Sequence, residues 1–218
     1  MNKRRILFWS GFVIVLGLIV WGLVASMNQP SAGLSLAEPA PVTAKDHVIG
    51  PADAPVTLIE YSDFQCPACE AYYPIVTQVF QESSSTMRLV YRHFPLPQHP
   101  NAVPAAVASE AANVQGKFWG MYNMLFENHA DWTELSDPTP VFVGYAEKLG
   151  LDVAQFKADL ASSTIRGIVT ADEDEGIHIG IDHTPTFFLN GKELQPQQIQ
   201  DYASFKAAVD AAASSSPR

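Results

Sequence analysis

"IEYSDFQCPACEAYYP" (residues 59–74) holds both cysteines of the 218-residue chain, Cys66 and Cys69. Three readings of such a pair compete: half of a metal site, a structural disulfide, or a redox-active dithiol. The flanking sequence decides between them. Residues 56–61, "VTLIEY", are β-rich and mostly apolar, and they read as a buried strand that ends at Ser62-Asp63. A helical pattern then runs to about Gln81. Pro67 suits its first turn, where a missing N–H costs nothing. Pro74 lies inside this helix and is expected to kink it.

A helix N-terminus carries about half a positive charge and free N–H donors. It favours a thiolate and lowers the pKa of the first cysteine of a C-x-x-C turn. Cys66 is therefore the expected exposed nucleophile, and Cys69, one turn in, the expected resolving thiol. A structural zinc site needs four ligands, and the chain has no second C-x-x-C, so no metal is expected. A disulfide that closes so small a loop stabilises little. A C-x-x-C that follows a strand and opens a helix is a redox signature.

Glu60 is the second clue. A carboxylate inside a buried strand costs several kcal/mol unless it is paired or neutral. One reading puts Glu60 at a strand edge in contact with water. The other makes it a buried acid beneath Cys69 that exchanges a proton with that thiol. The third clue is "HTPTFFLNG" (183–191), where Thr184-Pro185 precedes two short strands around Asn190-Gly191, a type I′ hairpin signal.

The rest of the chain sets the organisation. Lys3, Arg4 and Arg5 precede residues 6–27, which carry no charge. As a helix this stretch is ~33 Å long, enough to cross a bilayer. The expectation is a single-pass anchor with the basic tip in the cytoplasm and everything after Met27 outside; signal-peptide cleavage near residues 24–26 is the alternative. Residues 28–45 contain Pro30, Pro39 and Pro41 without a period and read as a flexible linker. Residues 46–212 form one α/β domain, and 213–218 a frayed tail. All 23 acidic residues follow the anchor, against ten basic ones, which argues against a nucleic-acid partner. A second strand is expected at 87–94. Several helices follow, with Asp152 as an N-cap and an aromatic stripe (Phe118, Trp119, Tyr122, Leu125, Phe126) that reads as core.

Four segments in this order, "YSDFQCPAC", "VYRHFPL", "QGKFW…LF" and "TPTFFLNG", resemble the DsbA-like branch of the thioredoxin fold, the extracytoplasmic thiol–disulfide oxidoreductases. The resemblance covers about 47–210. It implies a thioredoxin fold with a helical insertion at about 101–163, a catalytic set of Cys66, Cys69, Glu60 and a cis Pro185, and no cofactor. It implies client proteins with cysteines, newly exported, and a membrane partner that resets the pair. Thr184, Phe64, Pro67, Ala68 and His183 are the expected substrate-contacting residues, with Phe64 lining an apolar groove. Two departures stand out. Ala68 occupies a place where the strongest oxidases of the family carry a histidine. His183, before the Thr-Pro, offers a replacement donor from across the groove. Disulfide formation is the first reading. A reductase or isomerase, such as one serving cytochrome c maturation, and a non-catalytic peptide-binding module on the same fold are the alternatives.

Overall fold

The computed structural model describes residues 36–215, together with Gly17 and Trp21. The expected anchor at 6–27 thus lies outside the described residues, apart from those two helical positions. Among the described residues no helix is long and apolar enough to cross a membrane.

The chain runs β1 (His47–Ile49), β2 (Val56–Ser62), α1 (Pro67–Ser83), β3 (Met87–His93), α2 (Ala102–Val114), α3 (Phe118–Glu127), a 3₁₀ turn (His129–Asp131), α4 (Thr139–Lys148), α5 (Val153–Leu160), α6 (Ser163–Ile179), β4 (Thr186–Leu189), β5 (Lys192–Glu193), α7 (Pro196–Ile199) and α8 (Tyr202–Ser215). The five strands form one sheet in the order β1-β3-β2-β4-β5. β2 pairs parallel with β3, from Val56↔Met87 to Ser62↔His93, and antiparallel with β4, from Leu58↔Leu189 to Tyr61↔Thr186. A parallel pair needs a crossover, and α1 supplies it.

The strand period sorts the core onto two faces. Val56, Leu58, Met87 and Leu89 pack with Val76 and Val79 of α1 and with Phe205 and Val209 of α8. Ile59, Tyr61 and Val90 pack on the opposite face with Phe94 and Ile179. The helices between β3 and α6 enclose a third cluster, which includes Phe64, Tyr91, Tyr122, Phe126 and Trp132. The expected aromatic stripe is mostly core, with Phe118, Tyr122, Leu125 and Phe126 all buried. At the hairpin, Asn190 (φ 49°) and Gly191 (φ 81°) are both left-handed, as a type I′ turn demands. Asp152 caps α5 by accepting from Gln155 N at 2.9 Å. α1 is continuous through Pro74.

Two features differ from the sequence reading. β1 was not expected, since three residues are too short to show a period. Residues 36–45, expected to be part of a tether, are docked. Ala37 N donates to Ile179 O at 3.0 Å, Ala40 N donates to Glu175 at 2.8 Å, and Leu36 and Val42 pack on the Ile179 cluster. The buried Arg92 secures this segment. It donates to Asp46 at 2.8 Å, to the Tyr61 hydroxyl at 2.7 Å and to Ala40 O at 2.9 Å. An irregular stretch can thus be ordered by side chains far away in sequence.

α6 comes so close to β2 and β3 that a Cβ on Gly176 would lie 2.6 Å from Phe94 Cδ2. Phe94 is itself buried and has little room to yield. Gly176→Ala is expected to cost about 1–3 kcal/mol, read as a lower urea midpoint with an unchanged slope. An unchanged midpoint would show that α6 shifts freely.

Candidate active site

Cys66 is the residue before α1 and Cys69 lies in its first turn. β2 ends at Ser62, and the loop 63–65 is tied on several sides. Asp63 accepts from Gln65 N at 2.7 Å, from Leu96 N at 2.9 Å and pairs with the His99 ring at 2.6 Å. Gln65 accepts from Asn101 N at 2.6 Å and donates to Thr133 O at 2.7 Å. The cysteine loop is therefore held by the helical insertion as well as by the sheet. Asp63, Gln65 and His99 escaped the sequence reading, because polar loop residues carry no period.

The Thr184–Pro185 bond is cis, and Cys66 Sγ lies 3.5 Å from Thr184 O, to which it donates only while it is protonated. This turn lies over the sulfur. Cys66, expected to be exposed, is only 6 % accessible, and Cys69 is fully enclosed. Pro67 and Ala68 are exposed beside the pair. Both cysteines are free thiols.

The two sulfurs are electrostatically different. The hydrogen bond from the Cys69 thiol lowers the Cys66 pKa most. Burial opposes it, while Thr184 and the backbone N–H groups of Cys69 and Ala68 lower it further, and the result falls from 9.0 to about 5. Burial raises Cys69 well above the ordinary thiol range, reinforced by its hydrogen bond to Cys66 and the Cys66 charge. The pair thus favours a thiolate at Cys66 and a thiol at Cys69.

Glu60 is 1 % exposed and sits between Tyr91 of β3 and Phe187 of β4. The strand-edge reading does not hold, since β2 is paired on both sides. Burial pushes its carboxyl from 4.5 up to about 7, and the nearby Ser62 hydroxyl lowers it only in part. Neither its Oε2 nor the Ser62 hydroxyl has a hydrogen-bond partner at bonding distance among the described residues. The Ser62 hydroxyl also acts on Cys69, and both Glu60 and Cys69 raise the pKa of Tyr91. Acid, hydroxyl and inner thiol thus share one enclosed space. Ser62 was read only as the end of a strand.

Two expected contact residues are elsewhere. Phe64 is 1 % exposed and stacks on Tyr91 at 5.0 Å between ring centroids. It belongs to the core and not to a groove, because the aromatic cluster of the insertion closes over it. The His183 side chain is 62 % exposed and bonds to Asp182 at 2.8 Å. It is a solvated loop residue and not a donor to Cys66, because the adjacent carboxylate holds its ring in solvent.

A parallel-centred sheet with a dithiol at the start of its crossover helix, capped by a cis-proline turn, defines a thioredoxin-type site. The chain belongs to the thioredoxin family, whose sequence profile residues 42–211 match. It is similar in structure to oxidised BdbD from Bacillus subtilis, with a TM-score of 0.72 and 22 % identity over 83 % of this chain and 99 % of that one. It is also similar to DsbA2 from Pseudomonas aeruginosa, with a TM-score of 0.61 and 24 % identity over 81 % and 98 %. These likenesses show the DsbA-like thioredoxin fold. Among curated proteins it is 38 % identical over 187 residues to the Na(+)/H(+) antiporter NhaA 1 of Mycolicibacterium gilvum, covering 84 % of this chain and 29 % of that protein. It is 42 % identical over 149 residues to NhaA 3 of Salinispora tropica, covering 68 % and 22 %. The chain spans less than a third of the length of these relatives.

Glu60 gives a test in stability. Between pH 4.5 and about 7 the folded state holds a proton that the unfolded state has lost, so stability falls as pH rises through this window. Glu60→Gln removes that dependence. The variant is expected to gain about 3 kcal/mol over the wild type at pH 8, with little difference at pH 4, measured by urea unfolding. An equal effect at both pH values would mean that Glu60 is not buried as a neutral acid.

Proposed function

We propose that the chain is an extracytoplasmic thiol–disulfide oxidoreductase that introduces disulfides into exported proteins, held at the membrane by residues 6–27. The observation that carries this reading is the split between the sulfurs, with Cys66 held at about 5 and Cys69 held high. The sign of that split favours oxidation. A lowered thiol pKa stabilises the reduced folded protein increasingly as pH rises from about 5 to 9.0, and the oxidised protein has no such term. The disulfide is therefore disposed to accept electrons.

The reaction balances as two thiol–disulfide exchanges. A client thiolate attacks Cys66 Sγ of the oxidised pair, the Cys66–Cys69 bond breaks, and Cys69 leaves with the electron pair. A proton from Glu60, with the Ser62 hydroxyl close to both groups, makes it a thiol. A second client thiolate then attacks the client sulfur of the mixed disulfide, and Cys66 leaves as a stable thiolate. The client has lost two electrons, which a membrane partner removes to reset the pair. An extended client segment would lie along Thr184, whose backbone is at the edge of the covering turn, with Pro67 and Ala68 opposite.

The Ala68 side chain adds no hydrogen bond to the one its backbone N–H gives the Cys66 thiolate, which favours a milder oxidant. The reductase or isomerase reading is therefore kept as a specific outcome. Equilibration with glutathione is expected to give a potential well above thioredoxin's value of about −270 mV, with the oxidised chain converting a reduced two-cysteine peptide to its disulfide. A potential at or below that value transfers the assignment to a reductase. No exchange at all leaves a peptide-binding module.

Residue roles follow from alkylation and turnover. In the reduced chain iodoacetamide is expected to label Cys66, with a rate that titrates near pH 5, and to spare Cys69. His183→Ala should not move that titration. Glu60→Gln and Ser62→Ala should each slow release of Cys69 by about tenfold or more, seen as transient loss of mixed-disulfide formation. Labelling mainly at Cys69 would reverse the assignment of nucleophile and resolver.

A further inference from the structure

A second buried cluster lies outside the thiol site. His47 of β1 and His93 at the end of β3 point their Nε2 atoms at one atom, Oε1 of Glu110 in α2, at 2.5 and 2.9 Å. All three residues are buried, and their donor atoms lie within 4.8 Å of one another. We propose that His47, His93 and Glu110 bind a divalent ion of the zinc type, with its fourth ligand supplied by Asp172 or water.

Convergence of donors is the first argument. Two imidazole nitrogens from different strands and a carboxylate from a helix meet at one enclosed point, with both Nε2 atoms on the same Glu110 oxygen. A divalent ion at the point where Nε2, Nε2 and Oε1 converge would take all three atoms as ligands, once the donors move apart to make room for bonds of ~2.0–2.1 Å.

Preorganisation is the second. The His47 ring is stacked on Phe118 at 3.6 Å and 3°, and β1 is fixed to β3 by the register His47↔Tyr91. Asn113 holds the other oxygen of Glu110 at 3.5 Å. Access is the third. Glu110 and Asp172 line an open cavity of ≈ 670 Å³ with Asp46, Asn113 and Glu175. Asp172 Oδ2 is anchored 3.0 Å from the His93 backbone N–H, so the carboxylate stands beside the cluster. Two imidazoles and a carboxylate suit zinc and its neighbours and not calcium, which takes six to eight oxygens.

The test uses the untagged full chain in mild detergent, stripped with chelator and with Cys66 and Cys69 oxidised so that neither sulfur competes. Zn²⁺ is titrated against a chromophoric chelator. One Zn²⁺ per chain is expected, weakened more than about tenfold in His47→Ala and in Glu110→Gln, unchanged in His99→Ala, and not displaced by millimolar Ca²⁺. Binding well below one equivalent, or binding that both cluster substitutions leave intact, overturns the proposal. If a variant fails to fold, Co²⁺ in the wild type decides. Intense visible bands of a four-coordinate ion support the site, and the weak spectrum of hydrated Co²⁺ rejects it. Neither readout depends on thiol exchange, so failure here is distinct from failure of the proposed redox function.

Discussion

The central strand β2 is paired on both sides, with β3 in parallel register along its length and with β4 in antiparallel register from Leu58 to Tyr61. Most of the site depends on that double pairing. The parallel neighbour demands a crossover, so β2 must be followed by a helix whose N-terminus stands at the sheet edge where β2 ends. Cys66 occupies that N-terminus. The antiparallel neighbour must enter the sheet from the same edge, so the turn before β4 arrives beside Cys66. Thr184 and Pro185 are in that turn. Two strand partners of opposite direction thus bring residues 118 positions apart within 3.5 Å.

The same pairing also burdens the strand. Glu60 has a paired strand on each side and packed side chains above it, so it cannot reach water. Among the described residues no salt bridge compensates it, and the nearby Ser62 hydroxyl lowers its pKa only in part. Such a group destabilises the fold wherever it is ionised. Its neighbour Cys69 has a raised pKa. Under the exchange proposed above, that sulfur takes up a proton as it leaves the disulfide, and a buried acid near neutrality is matched to that step.

Much of this was legible in the chain, for particular reasons. The strand 56–61 could be read because β-branched and apolar residues stop at Ser62-Asp63, and the helix start because Pro67 follows the first cysteine. Asn190-Gly191 announced its turn through the left-handed backbone both residues tolerate. The fold followed from four short segments in order. Three things were not legible. Phe64 sits one loop away from the cysteines and looked like a groove residue; only the insertion's aromatics, 58 to 62 positions on, reveal that it is core. His183 looked like a partner for Cys66, but sequence adjacency to Pro185 does not fix the direction of an exposed ring. The docking of residues 36–45 depends on Arg92 and Glu175, contacts that no local pattern records.

The two buried glutamates show how one sheet sets opposite chemistry for one residue type. Glu60 and Glu110 are each 1 % exposed, so desolvation opposes the charge on both. Glu60 has a serine beside it and rises to about 7. Glu110 has two imidazoles aimed at a single oxygen and falls to about 2. The difference is one of partners and not of depth. It also separates their uses, because a group near 7 can give and take a proton at neutral pH, whereas a group near 2 can act only as a fixed charge. Tyr91 borders both environments, since it is paired with Glu60 across the sheet and its ring is 5.2 Å from that of His93. A cationic donor beside Glu60 would draw its pKa down as the imidazoles draw down that of Glu110, and a buried acid near neutrality would be lost.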